Sequence, residues 1–538
     1  MTIPTAFQPK VITTKQHTVD ILPSHPTLST YSLSSVGVTR YTAGVDAVVG
    51  GSGPGAQFDV GWVPDTWPTP TKMRTQQLLA SVKVAFYGSS TFGIVFNDAI
   101  YDDTNADGER VNRKHGAWAY RIVDLNHPSG SFPLQWGAWN YKIQIKVGDA
   151  GTMFVTGLDP THNYVIWCVP THPVDSDNMT TEFELTEDVG IGNEDGQFWE
   201  VTGFIADTGA TFQIDVTGTD VSIVWNVTNH RFMILGDSHT SGFLSVGAGE
   251  GSYAFASPTG YFLERVITEV SGAPQATKDT PILNRFAWGD KGALGSYAWN
   301  LIETWAEVGT STEKHFEIMN ISQPGHWQTK MGPNLRSFWE TNYFPQLFED
   351  YLTKYKHRTK SATAWTDGGD WINLAGSGGA WVPQLCILAS FGNDYIQGAL
   401  ELLLNTAGTV TDDQYFQGSD TVKDNFAHNT NPSLLSNLRS EWASLKVFCI
   451  GPGSRDVDWG TDLRARIEAG VDGSSVNHYD AINQGAGTDA WLYYQAMADL
   501  GTSIDPTAIL STATHPTAAQ HEEVRAALQT DFNSLKNS

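Results

Sequence analysis

The chain has 538 residues, and its 32 Lys and Arg against 58 Asp and Glu give a formal net charge of −26. A charge of this sign and size argues against nucleic acid and an anionic membrane surface as partners. Hydrophobic residues make up 40% and aromatic residues 12% of the sequence, which is typical of globular domains. No run of about 18 apolar residues occurs, so no membrane-spanning helix is predicted. The start of the sequence lacks the pattern of a secretory signal peptide.

The first part of the chain divides into an arm and a β-rich domain. Residues 1–60 are rich in Thr, Ser, Val and Pro and contain a glycine-rich break at 50–55, so they are predicted to form an N-terminal arm or attachment module. Residues 61–228 contain strand after strand, as in the alternation of apolar and polar residues over 141–147. Turn residues at short intervals favour an all-β sandwich or jelly roll.

From residue 229 the pattern changes to short apolar strands separated by helices. A strand is predicted at 231–235, a helix near 261–270 and a terminal helix at about 518–535. Further strands are predicted at 315–322, 385–390 and 446–450. This alternation indicates a parallel sheet covered on both faces. The predicted fold is therefore multidomain, an all-β part followed by an α/β/α domain over 229–538.

Residues with side chains or backbone groups suited to catalysis follow three of the predicted apolar strands and precede the terminal helix. In open α/β sheets the reactive site lies at the carboxyl ends of the strands, so these residues are expected to share one rim. A hydroxyl, a glycine backbone, a carboxamide and an imidazole are the parts needed for acyl transfer. The four segments are Gly236-Asp237-Ser238-His239, Gln323-Pro324-Gly325-His326, Gly392-Asn393-Asp394 and Thr514-His515-Pro516.

These four segments resemble, in order and in strand context, the sequence blocks of the SGNH (GDSL-type) hydrolase family. The resemblance covers residue 231 onward. It implies that Ser238 is the nucleophile, that Gly325 and Asn393 help to form the oxyanion hole, and that His515 is the general base. It also implies an acyl-enzyme mechanism without metal or other cofactor. Two groups complete the predicted site: loop-supporting Asp237 and Asp394, and pocket-lining His239, His326 and Trp327.

Two features depart from the family pattern. Thr512 stands where the family usually has the acid that orients the histidine, so Asp505 or a backbone carbonyl is expected to take that part. The spacing from Ser238 to His515 is also long for the family. The excess is assigned to insertions that form loops or small subdomains around the pocket, near 272–314, 327–382 and 406–440.

Simpler interpretations stay open for each of these residues. Ser238, Gly325 and Asn393 could be turn residues, and His515 could be a loop residue before a helix. His521 is expected on the surface of the terminal helix. The segment 103–108 begins like a calcium loop but lacks the Glu of an EF-hand, so an Asx-rich turn is favoured. The cysteines lie in apolar strands and are expected to be inert: Cys168, Cys386 and Cys449.

The whole organisation resembles a bacteriophage tail-associated esterase or a carbohydrate esterase that carries a jelly roll. The predicted function is deacetylation of a host surface polysaccharide by a virion protein, with the polysaccharide and other tail proteins as partners. Homo-oligomerisation is left open. Release by lysis would place the protein in the virion or outside the cell. The alternatives are a non-enzymatic receptor-binding or structural tail protein with a degenerate hydrolase fold, a free carbohydrate acetylesterase, and a cytosolic esterase.

Overall fold

The computed structural model describes somewhat more than a third of the chain, in segments that include the main sheets. The described residues are 27–40, 47–49, 55–59, 61–64, 69–75, 77–96, 117–126, 139–143, 151–172, 199–212, 230–236, 238–242, 292–308, 316–320, 322, 356–361, 364–370, 382–389, 442–451, 491–496, 500, 516 and 518–538.

Two sheets fill the first part of the structure. The first has strand order β11-β8-β13-β6-β5, with β1 also on β13. Its strands are β1 (Leu28–Ser32), β5 (Val63–Pro64), β6 (Met73–Thr75), β8 (Thr91–Phe96), β11 (Gly151–Thr156) and β13 (Trp199–Asp207). The second has order β10-β9-β12-β7-β4-β2-β3. Its strands are β2 (Val38–Arg40), β3 (Ala47–Val49), β4 (Ala56–Phe58), β7 (Val82–Tyr87), β9 (Ala117–Asp124), β10 (Asn140–Ile143) and β12 (Asn163–His172).

Aromatic side chains join the two sheets face to face. The ring centroids of Phe86 and Phe92 lie 5.2 Å apart, and those of Trp118 and Trp199 lie 6.4 Å apart. In both pairs one ring comes from each sheet. Neighbouring strands are antiparallel except for β2 and β4, which pair in parallel. Two mostly antiparallel sheets therefore enclose one apolar core, while the jelly-roll arrangement stays a prediction.

The segment predicted as an arm contributes strands to these sheets. Strand β1 pairs with β13 along its whole length, and β4 pairs with β7. Helix α1 (Leu33–Val36) connects β1 to β2 and buries Leu33 and Val36. Residues 28–58 thus supply edges and core to the sandwich where they are described, and the boundary near residue 60 stays a prediction.

A five-stranded parallel sheet forms the second part of the structure. Its strand order is β15-β14-β18-β19-β20. The strands are β14 (Arg231–Leu235), β15 (Glu317–Asn320), β18 (Leu385–Ala389), β19 (Lys446–Gly451) and β20 (Leu492–Ala496). In chain order this is the 2-1-3-4-5 arrangement of doubly wound folds, in which the winding direction reverses between the first and third strands. The switch point of this sheet therefore lies between β14 and β18.

Helices α3 (Tyr297–Val308) and α4 (Ala518–Asn537) cover one face of the parallel sheet. Phe232 of β14 contacts Trp305 of α3 and Phe532 of α4, with ring centroids 5.5 Å and 6.2 Å apart. The alternate residues of the strands, such as Met233 and Leu388, are fully buried as well. Since successive residues of a strand point to opposite faces, both faces of the sheet are covered, and this prediction is confirmed.

Indole rings connect the β-sandwich to the parallel sheet. Trp139 lies 5.8 Å from Trp299 between ring centroids, and Trp167 lies 5.1 Å from Phe316. Glu303 of α3 accepts hydrogen bonds from the indole nitrogens of Trp139 at 2.6 Å and Trp299 at 2.8 Å. The contact is therefore both apolar and hydrogen-bonded, as in a fixed interface rather than a loose linker.

Two described segments fall inside the predicted insertions. Helix α3 lies within 272–314 and belongs to the core, so this part is not a peripheral loop or subdomain, because its apolar side chains pack directly on β14. Strands β16 (Lys356–Ser361) and β17 (Ala364–Asp370) form an antiparallel hairpin within 327–382. The helix expected near 261–270, the insertion near 406–440 and the segment 103–108 lie outside the described residues. In the described part of the chain, no helix combines the length and apolar character needed to cross a membrane.

Candidate active site

The first candidate segment begins where β14 ends. Leu235 closes this buried strand, Gly236 follows, and Ser238 opens the short helix α2 (Ser238–Ser241). A Cβ atom at Gly236 would collide with the side chain of Thr240. Helix α2 is followed by Gly242, whose φ of 81° favours glycine. The Gly-Asp-Ser pattern thus has a local cause, since only glycine leaves room for the helix to fold back on the strand end.

Thr240 ties this turn to its surroundings. Its Oγ1 donates to the carbonyl oxygen of Ala389 at 3.3 Å and shares a hydrogen bond of 3.1 Å with the hydroxyl of Tyr297. Ala389 is the last residue of β18, and Tyr297 is the first residue of α3. The backbone after β14 is therefore anchored to the neighbouring strand and to a helix that covers the sheet.

The strands that precede the second and third candidate segments end at the same edge. In the parallel register Ile234 lies opposite Asn320 of β15, and Leu235 lies opposite Leu388 of β18. Asn320 is buried, and its Oδ1 accepts from the backbone N–H of Ser322 at 3.0 Å and from the Ser322 hydroxyl. This Asx-type turn directs the chain away from β15 at its carboxyl end.

The chain before the fourth segment's helix is buried at Pro516, and α4 begins at Ala518. His521, in its first turns, accepts a hydrogen bond at Nδ1 from the backbone N–H of Tyr297 at 3.2 Å. The two rings stack with centroids 5.6 Å apart. Because Tyr297 also contacts Thr240, the start of α4 is linked to the turn after β14 by only one intervening residue.

The expected surface position of His521 is wrong. The side chain is 0% exposed and lies on the apolar stripe of α4 with Val524, Leu528, Phe532 and Leu535. Burial, together with a smaller effect of the nearby His239 charge, lowers the pKa of His521 to about 3. The imidazole is therefore neutral over the physiological pH range and, enclosed as it is, unsuited to be a general base for an external substrate.

The structure describes the strands that precede the first three candidate segments, but it leaves most of the predicted site residues undescribed. For Ser238 it describes the backbone position, and His239 is half-buried in α2. The other predicted site residues lie outside the described residues: Asp237, Gly325, His326, Trp327, Asn393, Asp394, Asp505 and His515. Their roles stay predictions, as does the consequence of Thr512.

Sequence reasoning missed Thr240 and Tyr297. Thr240 lies two residues after the predicted nucleophile, and its side chain faces Gly236. The signal was the glycine itself, because a glycine at the end of a buried strand often marks a close approach by another group. Tyr297 carried no local signal, since its partners Thr240 and His521 are distant in sequence.

A second group of buried charges lies between the sandwich and the parallel sheet. Burial lowers the pKa of Lys83 to about 7, opposed by the charges of Glu317 and Asp59. Burial also raises the pKa of Asp59, and the neighbouring charge of Glu317 raises it further. The Lys83 ammonium lies 4.8 Å from the centroid of the Trp167 ring. These groups lie at the interface and away from the carboxyl edge of the parallel sheet, so their arrangement is that of a buried ionic network.

The three thiols are buried and free, as expected for core cysteines. Burial raises the pKa of the thiols of Cys168, Cys386 and Cys449. Each thiol is therefore protonated and a poor nucleophile. Within the described ranges, no three His, Cys, Asp or Glu side chains come together as a metal site.

No protein-family model matches the sequence, and no curated protein matches it. The structure is similar to an acetyl xylan esterase from Butyrivibrio proteoclasticus, with 12% identity over 96% of this chain and 98% of that chain and a TM-score of 0.45. It is also similar to a family two carbohydrate esterase from Clostridium thermocellum, with 11% identity over 89% and 98% and a TM-score of 0.43. A protein from Bacteroides ovatus described as a GDSL-like lipase matches with 14% identity over 56% and 96% and a TM-score of 0.26. Since these TM-scores are below 0.5, we assign the fold from strand order and register.

Proposed function

We propose that the chain is a serine esterase of the SGNH type that uses Ser238 as its nucleophile. The observation that carries this proposal is the position of Gly236 and Ser238 directly after β14, the strand at the switch point of the parallel sheet. Ligands of doubly wound sheets bind outside the carboxyl ends of the strands at this point. The neighbouring strand ends, Asn320 and Ala389, lead within a few residues to Gly325 and Asn393.

The proposed reaction proceeds in two acyl-transfer steps. The hydroxyl oxygen of Ser238 attacks the ester carbonyl carbon, while His515 takes the hydroxyl proton. Backbone N–H groups of Ser238 and Gly325 and the side-chain amide of Asn393 donate to the oxyanion. The carbon–oxygen bond to the leaving alcohol breaks, and His515 returns the proton to that alcohol. Water then attacks the acyl-enzyme with His515 again as base, which releases the acid and restores Ser238.

We further propose that the substrate is an O-acetylated polysaccharide. An acetyl ester needs only a small acyl pocket, whereas the sugar chain needs an extended surface. The chain contains 19 Trp, the residue type best suited to stack on sugar rings, and places a β-sandwich against the catalytic sheet. We also propose that the protein is located on a phage tail, because the order of its predicted domains resembles that of tail-associated esterases.

Hydrolysis of p-nitrophenyl acetate tests the reaction. Ser238→Ala is expected to lower kcat by at least about 10³-fold, because removal of a nucleophile leaves only residual catalysis. Ser534→Ala in α4 is the matched control. Its hydroxyl donates to the carbonyl oxygen of Thr530 on an exposed surface, so kcat should remain that of the wild type. Equal rates for the wild type and Ser238→Ala would contradict the proposed esterase activity and favour a binding or structural protein.

Acetate release from acetylated xylan or mannan tests the substrate class. We expect acetate release from the polymer and a decline in kcat/KM from p-nitrophenyl acetate to p-nitrophenyl octanoate, because a small acyl pocket excludes the longer chain. The reverse preference would favour a lipase. The tail location is tested by immunoblotting purified phage particles, and finding the protein only in the soluble lysate would contradict it.

A further inference from the structure

We propose that Thr240, Tyr297 and His521 form a positioning chain that holds the nucleophile turn in register with the segments carrying the oxyanion donor and the base. The inference rests on the proposed function and adds three residues that act through Ser238. Each of the three side chains is fully buried or nearly so. They come from α2, α3 and α4, which are far apart in sequence.

The direction of the hydrogen bonds follows from the donors available. Thr240 has one hydroxyl proton, and its geometry directs that proton to the carbonyl oxygen of Ala389. The shared bond of 3.1 Å between Thr240 and Tyr297 therefore uses the Tyr297 proton. Thr240 thus accepts from one side and donates to the other, and its Oγ1 is fixed in position by both bonds.

His521 holds the other end of Tyr297. Its Nδ1 accepts from the Tyr297 backbone N–H, so in this arrangement Nδ1 carries no proton and the neutral ring carries its proton on Nε2. Burial of the ring keeps this form over the physiological range, and the facing groups are the imidazole of His239 and the ring of Tyr297. The hydrogen bond from the Tyr297 backbone N–H to His521 is therefore kept over the pH range in which an exposed histidine would gain a proton.

The unpaired side of His521 argues for a role beyond packing. Its Nε2 is buried and has no hydrogen-bond partner within the described part of the chain. An unsatisfied buried donor destabilises the folded state, and a leucine at this position of the apolar stripe would avoid that cost. A requirement for the Nδ1 acceptor explains why an imidazole is tolerated there.

The contacts of Thr240, Tyr297 and His521 link α2, the end of β18 and the start of α4, and each of these elements contains, or lies within a few residues of, a residue of the proposed reaction. Ala389 closes the strand that leads to Asn393, and His521 lies shortly after His515. Thr240 lies in the same helix as Ser238. A shift of about 1 Å in a reacting group can lower a rate by about 10²-fold, so loss of one contact should affect kcat more than substrate binding.

Removal of single hydroxyl groups tests the inference. Tyr297→Phe and Thr240→Val keep the shape of each side chain, and both are expected to lower kcat for p-nitrophenyl acetate about 10-fold or more with KM changed less than twofold. Thr240→Ser, which keeps the hydroxyl, should restore at least half of the wild-type kcat. Tyr493→Phe is the matched control, because its hydroxyl donates to Asp531 at 2.6 Å in the same domain but away from the nucleophile turn.

The thermal midpoint of each variant is measured beside its kinetics. Tyr493→Phe should lose stability comparably to Tyr297→Phe while keeping the wild-type kcat. If Tyr297→Phe and Thr240→Val keep the kcat of the control, or if KM rises while kcat stays constant, the positioning role is wrong. The proposed function fails separately, when the wild type and Ser238→Ala have equal rates. That result removes the reaction to be positioned and so overturns both proposals.

Discussion

Arg121 of the β-sandwich donates from Nη1 to Oε1 of Glu303, on helix α3 of the second part, at 3.2 Å. The guanidinium lies 4.3 Å and 4.4 Å from the ring centroids of Trp139 and Trp167. Burial lowers the pKa of Arg121 to about 10, and the charges of Glu303 and Glu307 oppose that shift. The two parts of the chain therefore share a charged contact enclosed by aromatic rings.

Replacing Glu303 is expected to weaken this interface. Glu303→Gln keeps the shape but removes the charge that faces a buried guanidinium, and we expect a loss of about 2–3 kcal/mol in the free energy of unfolding. Urea denaturation measures it. Glu522→Gln is the control, since Glu522 forms an exposed pair with Arg525 and should lose less than about 1 kcal/mol. Equal losses would show that the interface charge contributes no more than a surface pair.

A methyl group at Gly236 should disrupt the nucleophile turn. In Gly236→Ala the new Cβ meets the side chain of Thr240, so the helix after β14 must shift. We expect loss of most esterase activity together with a fall in the thermal midpoint. Gly157→Ala provides the comparison, because its Cβ would meet nothing within 4 Å and only its φ of 78° is unfavourable. Normal activity in Gly236→Ala would contradict the close contact with Thr240.

The lowered pKa of His521 predicts that the free energy of unfolding decreases at acidic pH. Its pKa is lowered from 6.5 to about 3 by burial, so between these values the unfolded chain binds a proton that the folded chain does not. Stability from this group is therefore present above pH 6.5 and is lost as the pH falls toward 3. His521→Asn keeps an acceptor near Nδ1 but cannot titrate.

The measurement is the difference in unfolding free energy between wild type and His521→Asn at pH 7 and pH 5. We expect the wild type to lose about 2 kcal/mol relative to the variant over this interval, since one proton contributes about 1.4 kcal/mol per pH unit. A difference that is independent of pH would mean that His521 is accessible to protons in the folded protein.

The cysteines should be unreactive in the folded protein. Cys168, Cys386 and Cys449 are buried in strands and their thiol pKa values are raised by burial. With the reagent DTNB at pH 8 we expect negligible release of thionitrobenzoate from native protein and three equivalents per chain after addition of guanidinium chloride. Rapid reaction of one thiol under native conditions would locate a strand that opens locally.

The elements predicted well from the sequence are those in which a local run or spacing of apolar residues indicates the buried face. Strand β14 is apolar after Arg231 and lies between β15 and β18 in the interior of the sheet, as its composition indicates, and α4 follows the apolar spacing of its sequence. Strand β1 was missed because its partner β13 lies far along the chain. No local pattern states which distant strand completes a sheet.

The candidate site shows the same division. The Gly-Asp-Ser pattern predicted the position after β14, and the sheet register shows that β15 and β18, which precede the next two segments in sequence, end at the same edge. His521 was misjudged because its residue type suggested a surface position, although its spacing with Val524 and Leu528 placed it on the buried stripe. Here the period of the helix was the better guide than the polarity of one side chain.

The stacking of Phe532 on Phe232 has a consequence for biosynthesis. The first strand of the parallel sheet leaves the ribosome long before the helix that must cover it, and in that interval its apolar face needs another partner. Pairing of residues so distant in sequence makes folding slow. We therefore expect the β-sandwich to form during translation and the parallel sheet to close only after the last helix has emerged, a delay in which chaperones would improve the yield of folded protein.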